Sequence, residues 1–269
     1  MNVKIIGDDP LKYGKVPMNA DHRLDTESIP FCRPLSSYRS GFFLLINGAS
    51  GSGKTTCMTN MLKCPAQNGK RRSFKRCFER VIIVSPSLKT LKSKIFDNLQ
   101  YKFNSFDEST LQEIYNILES DDLDDDSDDS DSEPKKTLLI LDDCGSYLKG
   151  SLEKSFNHMV KNRRHLALSI ICITQRYFDS SASSRANLSH FIQVGKPKTT
   201  KEMEAIYEEL IGQPKKFMFD IMEKVFNKKH DNLMIDFTQH LGDGFLFYSN
   251  FRPIEFTKKI TYSILYYAR

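Results

Sequence analysis

A glycine-rich segment in the first quarter of the chain carries residue types that suit the binding of a polyphosphate. It matches the Gly-x-x-x-x-Gly-Lys-Thr pattern of a phosphate-binding loop. Glycines adopt backbone conformations that other residues resist, so successive N–H groups can turn toward phosphate oxygens. We expect Lys54 to reach the β- and γ-phosphates of a nucleotide and the Thr55 hydroxyl to hold Mg²⁺. The predicted nucleotide-binding residues are Gly48, Ala49, Ser50, Gly51, Ser52, Gly53, Lys54, Thr55 and Thr56.

Two adjacent acids, Asp142 and Asp143, follow an apolar run at residues 138–141. This is the pattern of a Walker B strand, which places its acids at the carboxyl end of a parallel strand, where ligands bind. Asp142 is expected to hold Mg²⁺ through the water shell of the metal. Asp143 is expected to orient or deprotonate the attacking water. The pair is a weak signal alone, but together with the glycine-rich loop it indicates nucleotide hydrolysis.

Three further side chains are candidates for catalysis. Gln175 follows an apolar run at 168–173 and could hydrogen-bond the attacking water or the γ-phosphate, although a glutamine there is also an ordinary turn residue. Arg164 ends a predicted helix at 152–165, where it either complements the helix dipole or reaches the γ-phosphate of a neighbouring subunit. Arg185 is a second candidate for such an arginine finger, or a surface loop residue.

The elements that must position these residues are predicted from hydrophobic patterning. A buried strand at 42–47 precedes the glycine-rich loop, and a helix at 55–63 follows it, which a flexible Gly/Ser linker would not explain. The sequence predicts an α/β fold, a mostly parallel central sheet flanked by helices. The remaining predicted strands are 81–84, 101–106, 137–143, 168–175, 191–194, 233–237 and 245–248, and the remaining predicted helices are 88–99, 109–118, 201–210 and 215–226.

The domain organisation follows from changes in composition. Residues 1–40 contain four prolines and little periodicity, and are predicted to form an extended N-terminal arm. The ATPase domain is expected at 41–250, and residues 251–269 as a C-terminal tail. An Asp/Ser tract at about 120–136 interrupts the domain and is predicted to be a disordered insertion, because it has too few apolar residues to fold. It is a solvated loop, or else an acidic mimic of nucleic acid or a phosphorylated segment.

Charge is distributed unevenly along the chain. The formal net charge is +5, but nine acidic residues lie between Asp121 and Glu133, so the rest of the chain carries +14. A body this basic favours a polyanionic partner. The basic loop at 70–76 and the lysines at 196–216 are candidate contacts, although such clusters are more often solvated surfaces.

The sequence predicts an intracellular protein without a membrane span. No apolar run approaches the roughly 20 residues that a spanning helix needs, and no apolar stretch follows the basic residues at the N-terminus, as a secretory signal would require. The six cysteines show no Cys-x-x-Cys spacing, which argues against zinc and fits reduced thiols.

Taken in order, these motifs resemble those of the genome-packaging ATPases of nucleocytoplasmic large DNA viruses, including poxviruses, and of related virophages and large DNA transposons. The resemblance covers about residues 41–194. It depends on the loop at 48–55, the acids after 138–141, Arg164-His165 before the strand that ends at Gln175, and Arg185-Ala186-Asn187 before Phe191. The acidic tract departs from the family pattern, as does Asp143, where bacterial relatives carry Glu.

The resemblance implies a P-loop NTPase with a RecA-like fold of the FtsK/HerA type. Such a protein forms a ring or a transient homo-oligomer that uses ATP and Mg²⁺ to pump double-stranded DNA into a capsid, largely without regard to DNA sequence. It would act in the host cytoplasm at sites of virus assembly, or within the virion, together with capsid or portal components. It would use Gln175 as a sensor and an arginine that acts in trans.

Three alternatives remain open. A helicase or another RecA-like nucleic-acid motor would share these motifs. A small-molecule kinase could be built on the same loop, but we find no arginine-rich lid, and Gln175 argues against one. A nucleotide-gated switch would bind ATP without useful turnover.

Overall fold

The computed structural model describes residues 2–5, 41–63, 74–90, 94–119, 134–211, 215–238 and 247–257. Most of the predicted N-terminal arm, most of the acidic insertion, residues 70–73 of the basic loop and the end of the C-terminal tail lie outside these ranges. Among the helices that are described, none combines the length and the apolar character needed to cross a membrane.

Within the described ranges, ten strands form a single mixed sheet with the order β1-β10-β9-β8-β7-β2-β6-β5-β3-β4. The six strands from β7 to β4 in this order are mutually parallel, and the four strands from β8 to β1 extend the sheet with antiparallel pairs. The strands are β1 (Asn2–Ile5), β2 (Phe43–Asn47), β3 (Arg80–Val84), β4 (Tyr101–Phe103), β5 (Thr137–Asp142), β6 (Leu168–Thr174), β7 (His190–Val194), β8 (Asn232–Asp236), β9 (Phe247–Ser249) and β10 (Arg252–Thr257).

Helices cover both faces of the sheet, so the predicted α/β class with a mostly parallel sheet is confirmed. They are α1 (Lys54–Lys63), α2 (Lys94–Asp97), α3 (Glu108–Glu119), α4 (Glu153–Asn162), α5 (Ala182–Arg185), α6 (Thr200–Ile206) and α7 (Lys215–Val225). A π-helical turn at Tyr207–Ile211 continues α6.

Successive side chains of β2 belong alternately to two hydrophobic clusters, one on each face of the sheet. Phe43 and Leu45 belong to a cluster with residues of α3, α4, α6 and α7, whereas Leu44 and Ile46 pack with Met58 and other residues of α1. Every residue of β2 is buried, because successive side chains of a strand point to opposite faces and both faces are covered. This explains the uninterrupted apolar run that precedes the glycine-rich loop.

Two predicted elements differ from the structure. The helix predicted at 88–99 is a short 3₁₀ turn at Leu88–Thr90 and the four-residue α2, and the strand predicted at 101–106 ends at Phe103. The sheet also continues through β1 and β10, which lie beyond residues 41–250. Pro253 within β10 has no N–H to donate, so this segment is a poor strand candidate by sequence alone.

Candidate active site

Strand order brings the two nucleotide-binding motifs to one edge of the sheet. Strand β6 lies between β2, which leads into the glycine-rich loop, and β5, which ends at Asp142. In the register of these parallel strands, Asn47 is opposite Thr174, and Asp142 is opposite Ile173. Because neighbouring strands lie about 4.8 Å apart, β2 and β5 are separated by about 10 Å, and the segments that follow them meet at the same edge.

The glycine-rich loop has the backbone geometry that its sequence predicts. Gly51 and Gly53 have φ angles of 71° and 99°, in the region that favours glycine. Gly48 is required for a different reason, since a Cβ there would lie 2.4 Å from the carbonyl oxygen of Val194. The loop then enters α1 directly, with the N–H of Cys57 donating to the carbonyl oxygen of Gly53 at 2.8 Å.

Lys54 lies between this loop and the acids. Its Nζ donates to the carbonyl oxygen of Ala49 at 2.9 Å. Burial lowers the pKa of the ammonium, the nearby Asp143 and Asp142 raise it, and the positive charge of Lys198 lowers it further. The ammonium is therefore close to both carboxylates and to a second cation, Lys198, which sequence reasoning did not place at the site.

The carboxylate of Asp142, at the end of β5, contacts α1 and the residue that follows β3. Only 4% of the residue is exposed. Its Oδ1 accepts a hydrogen bond from the Thr55 hydroxyl and its Oδ2 accepts one from the Ser85 hydroxyl, each at 3.4 Å. Burial, and next the charge of Asp143, raise the pKa of Asp142 to about 6. Ser85 was missed by sequence reasoning, although its position directly after β3 was a usable signal.

Asp143 and Gln175 form a second contact at the same edge. The Nε2 of Gln175 donates to the Oδ1 of Asp143 at 2.8 Å, and both side chains are exposed. Asp143 has a φ of 57°, a left-handed conformation that aspartate tolerates better than most residues. This backbone conformation ends β5 and separates the environments of the two acids, one buried and one open to solvent.

The residues present fit a nucleotide with Mg²⁺. The hydroxyl oxygen of Ser52 is buried and makes no hydrogen bond to any described residue, which suits a loop that binds an external group. Within the described ranges no group of three His, Cys, Asp or Glu side chains could hold a metal alone. A magnesium ion held by Thr55 and Asp142 would therefore need water or phosphate oxygens to complete its ligands, as this metal usually does.

The structure places Arg164 at the opposite edge of the sheet. The side chain is exposed, and the preceding residue, Arg163, has its carbonyl oxygen 3.2 Å from where a Cβ of Gly41 would lie. Gly41 begins the segment that enters β2, and Gly48 follows the end of that strand. At about 3.3 Å per residue, the two edges are roughly 20 Å apart. Arg164 therefore lies too far from the loop of its own chain to contact a nucleotide bound there.

The geometry of Arg185 does not fit an arginine finger. Its Nε and Nη2 donate to the two carboxylate oxygens of Glu209 at 2.7 and 2.9 Å, and its Nη1 donates to the carbonyl oxygen of Ser180. The guanidinium also lies 4.6 Å from the ring centroid of Tyr177, and only 8% of the side chain is exposed. A buried guanidinium with these partners cannot extend to a neighbouring subunit without breaking them.

A polar network supports the end of β2 and was also missed. Asn47 donates from Nδ2 to Gln193 at 2.8 Å and to Glu202 at 3.2 Å, and its Oδ1 accepts from the Thr174 hydroxyl. Glu202 also accepts the backbone N–H of Tyr177 at 2.7 Å. Since Asn47 directly precedes Gly48, this network links the loop to the segment that follows Gln175.

Comparison with solved structures gives proteins of the same fold. The DNA-packaging ATPase B204 of Sulfolobus turreted icosahedral virus matches with a TM-score of 0.50 and 15% identity, over 76% of this chain and 96% of that chain. B204 of Sulfolobus turreted icosahedral virus 2, in complex with AMPPCP, matches with a TM-score of 0.50 and 17% identity, over 74% of this chain and 94% of that chain. At these identities the likeness shows the fold.

A comparison of the sequence with proteins of curated function gives no match. The family model described as poxvirus A32 protein matches residues 33–239. Because this match spans well over half of the sequence, the chain belongs to the poxvirus A32 protein family, and its fold is similar to that of viral DNA-packaging ATPases.

Proposed function

We propose that this protein hydrolyses ATP in the presence of Mg²⁺ and uses the energy to move double-stranded DNA into a viral capsid. One observation carries the proposal: the Thr55 hydroxyl of the glycine-rich loop contacts the buried carboxylate of Asp142, and the Lys54 ammonium lies close to the same acid. These are the groups that bind phosphates and a metal in P-loop ATPases. Membership of the A32 family and the fold shared with packaging ATPases support the choice of DNA as the substrate that is moved.

Each residue has a distinct task in the proposed reaction. The loop N–H groups and Lys54 bind and orient the phosphates, and Thr55 and Asp142 would hold Mg²⁺. When bound, the metal neutralises charge on the phosphate oxygens. Asp143 accepts the proton of the attacking water. Gln175 donates a hydrogen bond to the Asp143 carboxylate and fixes the orientation of that carboxylate. Catalysis is then mostly positioning and electrostatic stabilisation.

The active form is proposed to be a homo-oligomer. Arg164 is exposed at the edge of the sheet opposite the glycine-rich loop, so it suits a finger supplied to the nucleotide of an adjacent copy. A ring or transient oligomer would create such boundaries repeatedly. The family alone supports two further proposals. The protein would act together with capsid or portal components, and it would do so in the host cytoplasm at sites of virus assembly or within the virion.

DNA is proposed to be bound chiefly through its phosphates. The net charge of +5, despite the nine acids of the insertion, leaves many cations to contact a polyanion. Candidate contacts are the basic loop at 70–76 and the lysines at 196–216. Binding of this kind depends little on DNA sequence and weakens steeply with added salt.

ATP turnover measured with and without linear duplex DNA tests the proposal. We expect duplex DNA to stimulate turnover, and Lys54→Ala to lower it by roughly 100-fold or more. Lys154→Ala, on the exposed surface of α4, is the matched control and should behave as the unmodified protein. Strand separation would instead indicate a helicase, a requirement for a small acceptor would indicate a kinase, and nucleotide binding without turnover would indicate a switch.

A further inference from the structure

A buried histidine lies directly against the glycine-rich loop. His230, in the connection between α7 and β8, is only 5% exposed, and its Nδ1 is 2.7 Å from the carbonyl oxygen of Ser52. A carbonyl oxygen can only accept a hydrogen bond, so Nδ1 carries a hydrogen and donates it. None of the sequence motifs includes this residue, which is 178 positions away from its partner.

The contact controls the direction of an N–H group in the loop. The carbonyl of Ser52 and the N–H of Gly53 belong to one planar trans peptide, so they point in opposite directions. When His230 holds the oxygen, the N–H of Gly53 is directed away from the imidazole. Gly53 itself has a φ of 99° and no side chain that restricts this orientation, so the contact with His230 can stabilise it.

The loop and the histidine also fit each other sterically. A Cβ on Gly53 would lie 3.1 Å from Nδ1 of His230, which is tighter than ordinary van der Waals contact. The third glycine of the motif therefore serves two purposes here. It allows the positive φ, and it lets the imidazole approach the peptide.

The segment that carries His230 is held from several sides. The carboxylate of Asp231 accepts the backbone N–H groups of Asn227 and Lys228, and it also accepts Nδ2 of Asn250 at 2.8 Å. The backbone oxygen of Asp231 accepts the N–H of Gly195 at 2.8 Å. Asn250 lies in the turn between β9 and β10, so the C-terminal hairpin stabilises the position of the histidine.

We propose that His230 is a positioning residue for nucleotide binding, which acts by fixing the Ser52–Gly53 peptide so that the N–H of Gly53 faces the phosphates. The inference rests on the proposed function, because it assigns a role toward the nucleotide of the same site. It adds a residue from the C-terminal half of the chain to the phosphate-binding apparatus.

Two substitutions separate this role from simple packing. In His230→Asn the amide nitrogen is two bonds from Cβ, as Nδ1 is in histidine, so the donor is retained. His230→Gln carries the same amide one bond farther away. We expect the dissociation constant for Mg-ATPγS to rise roughly 5- to 10-fold in His230→Gln, the loss of one hydrogen bond, and to stay within about 2-fold in His230→Asn. The dissociation constants of the two variants for inorganic pyrophosphate should rank in the same order, since the N–H of Gly53 is proposed to face the phosphates.

The melting temperature of each nucleotide-free variant completes the experiment. The proposal is overturned if both variants bind Mg-ATPγS as tightly as the unmodified protein, or if affinity falls in proportion to melting temperature in both. If the unmodified protein itself does not bind Mg-ATPγS, the proposed function fails, and the inference with it. If the unmodified protein binds and the two variants do not differ, only the role of His230 fails.

Discussion

The side-chain amide of Gln175 donates a 2.8 Å hydrogen bond to the carboxylate of Asp143. The two residues follow the neighbouring strands β6 and β5, and both are exposed, unlike the adjacent Asp142. An exposed carboxylate held by an amide can take a proton from water, whereas a buried one beside a threonine hydroxyl suits a metal ion. Their environments therefore support the different tasks that we propose for the two acids.

Gln175→Ala should lower kcat with little change in KM for ATP. The amide contacts the acid proposed to act on water and not the loop that binds phosphates, so its loss affects the transition state more than nucleotide binding. We expect kcat to fall roughly 10- to 100-fold and the melting temperature to stay constant, because both side chains are exposed. Steady-state ATPase assays measure both constants. A large rise in KM with unchanged kcat would contradict the assignment.

The raised pKa of Asp142 predicts that its carboxylate destabilises the nucleotide-free protein near neutral pH. The pKa is about 6 in the folded protein, against an ordinary value of 3.8. The folded state thus binds the proton more tightly than the unfolded chain. Proton binding by Asp142 therefore stabilises the folded protein fully below about pH 4, and this stabilisation is lost as the pH rises through about 6. The difference between these two pKa values corresponds to at most about 3 kcal/mol of folding free energy.

Asp142→Asn should therefore stabilise the protein while abolishing its metal-dependent activity. In the presence of EDTA, the melting temperature is expected to rise by several degrees at about pH 7.5 and to change little at about pH 4. Calorimetry at the two pH values measures this difference. A variant less stable than the unmodified protein at neutral pH would show that the carboxylate is not under electrostatic strain.

Local motifs explain why much of the site was predictable. The glycine-rich loop, the acids after β5 and Gln175 after β6 each lie within a short stretch, and parallel strands bring their carboxyl ends to one edge. The structure brings together Lys54, Thr55, Asp142, Asp143 and Gln175, as the sequence predicts.

Long-range side-chain partners were not predictable in the same way. Ser85 contacts Asp142 across 57 positions, and His230 contacts Ser52 across 178. Arg185 was assigned to a possible finger because nothing in its own segment reveals that Glu209, 24 positions away, binds its guanidinium. Such contacts depend on which strands become neighbours, and hydrophobic patterning does not determine that.

Gly48→Ala should impair the protein more than Gly51→Ala. A Cβ at position 48 would lie 2.4 Å from the backbone oxygen of Val194 and 2.7 Å from the hydroxyl of Ser52, so β7 or the loop must shift. A Cβ at position 51 meets nothing within 4 Å, and the cost there is only that of a φ of 71°, about 1 kcal/mol.

Calorimetric titration with Mg-ATPγS and thermal melting test the difference. We expect Gly48→Ala to lose about 1–3 kcal/mol of stability and most of its nucleotide affinity. Gly51→Ala serves as the matched control, because it lies in the same loop and receives the same methyl group. Equal effects in the two variants would show that the close approach of β7 to the loop does not matter.

The substitutions Arg164→Ala and Arg185→Ala are expected to have different effects on the stability of the protein. Arg185→Ala leaves Glu209 without its partner and removes the cation over Tyr177. Because Glu209 is 38% exposed, we expect a moderate loss of about 2 kcal/mol of stability. Arg164→Ala removes only an exposed side chain, so its melting temperature should not change.

Mixing experiments then distinguish a residue that acts across a subunit boundary. Subunits with Arg164→Ala retain Asp143, and subunits with Asp143→Ala retain Arg164, so an oligomer containing both would include boundaries at which all the required groups meet. We expect ATP turnover to recover when these two inactive variants are mixed. Arg185→Ala retains both Arg164 and Asp143, so it should hydrolyse ATP without mixing at temperatures at which it is folded. Since Arg164 lies roughly 20 Å from the loop of its own chain, an Arg164→Ala variant that is inactive but never rescued by mixing would refute the assignment in trans.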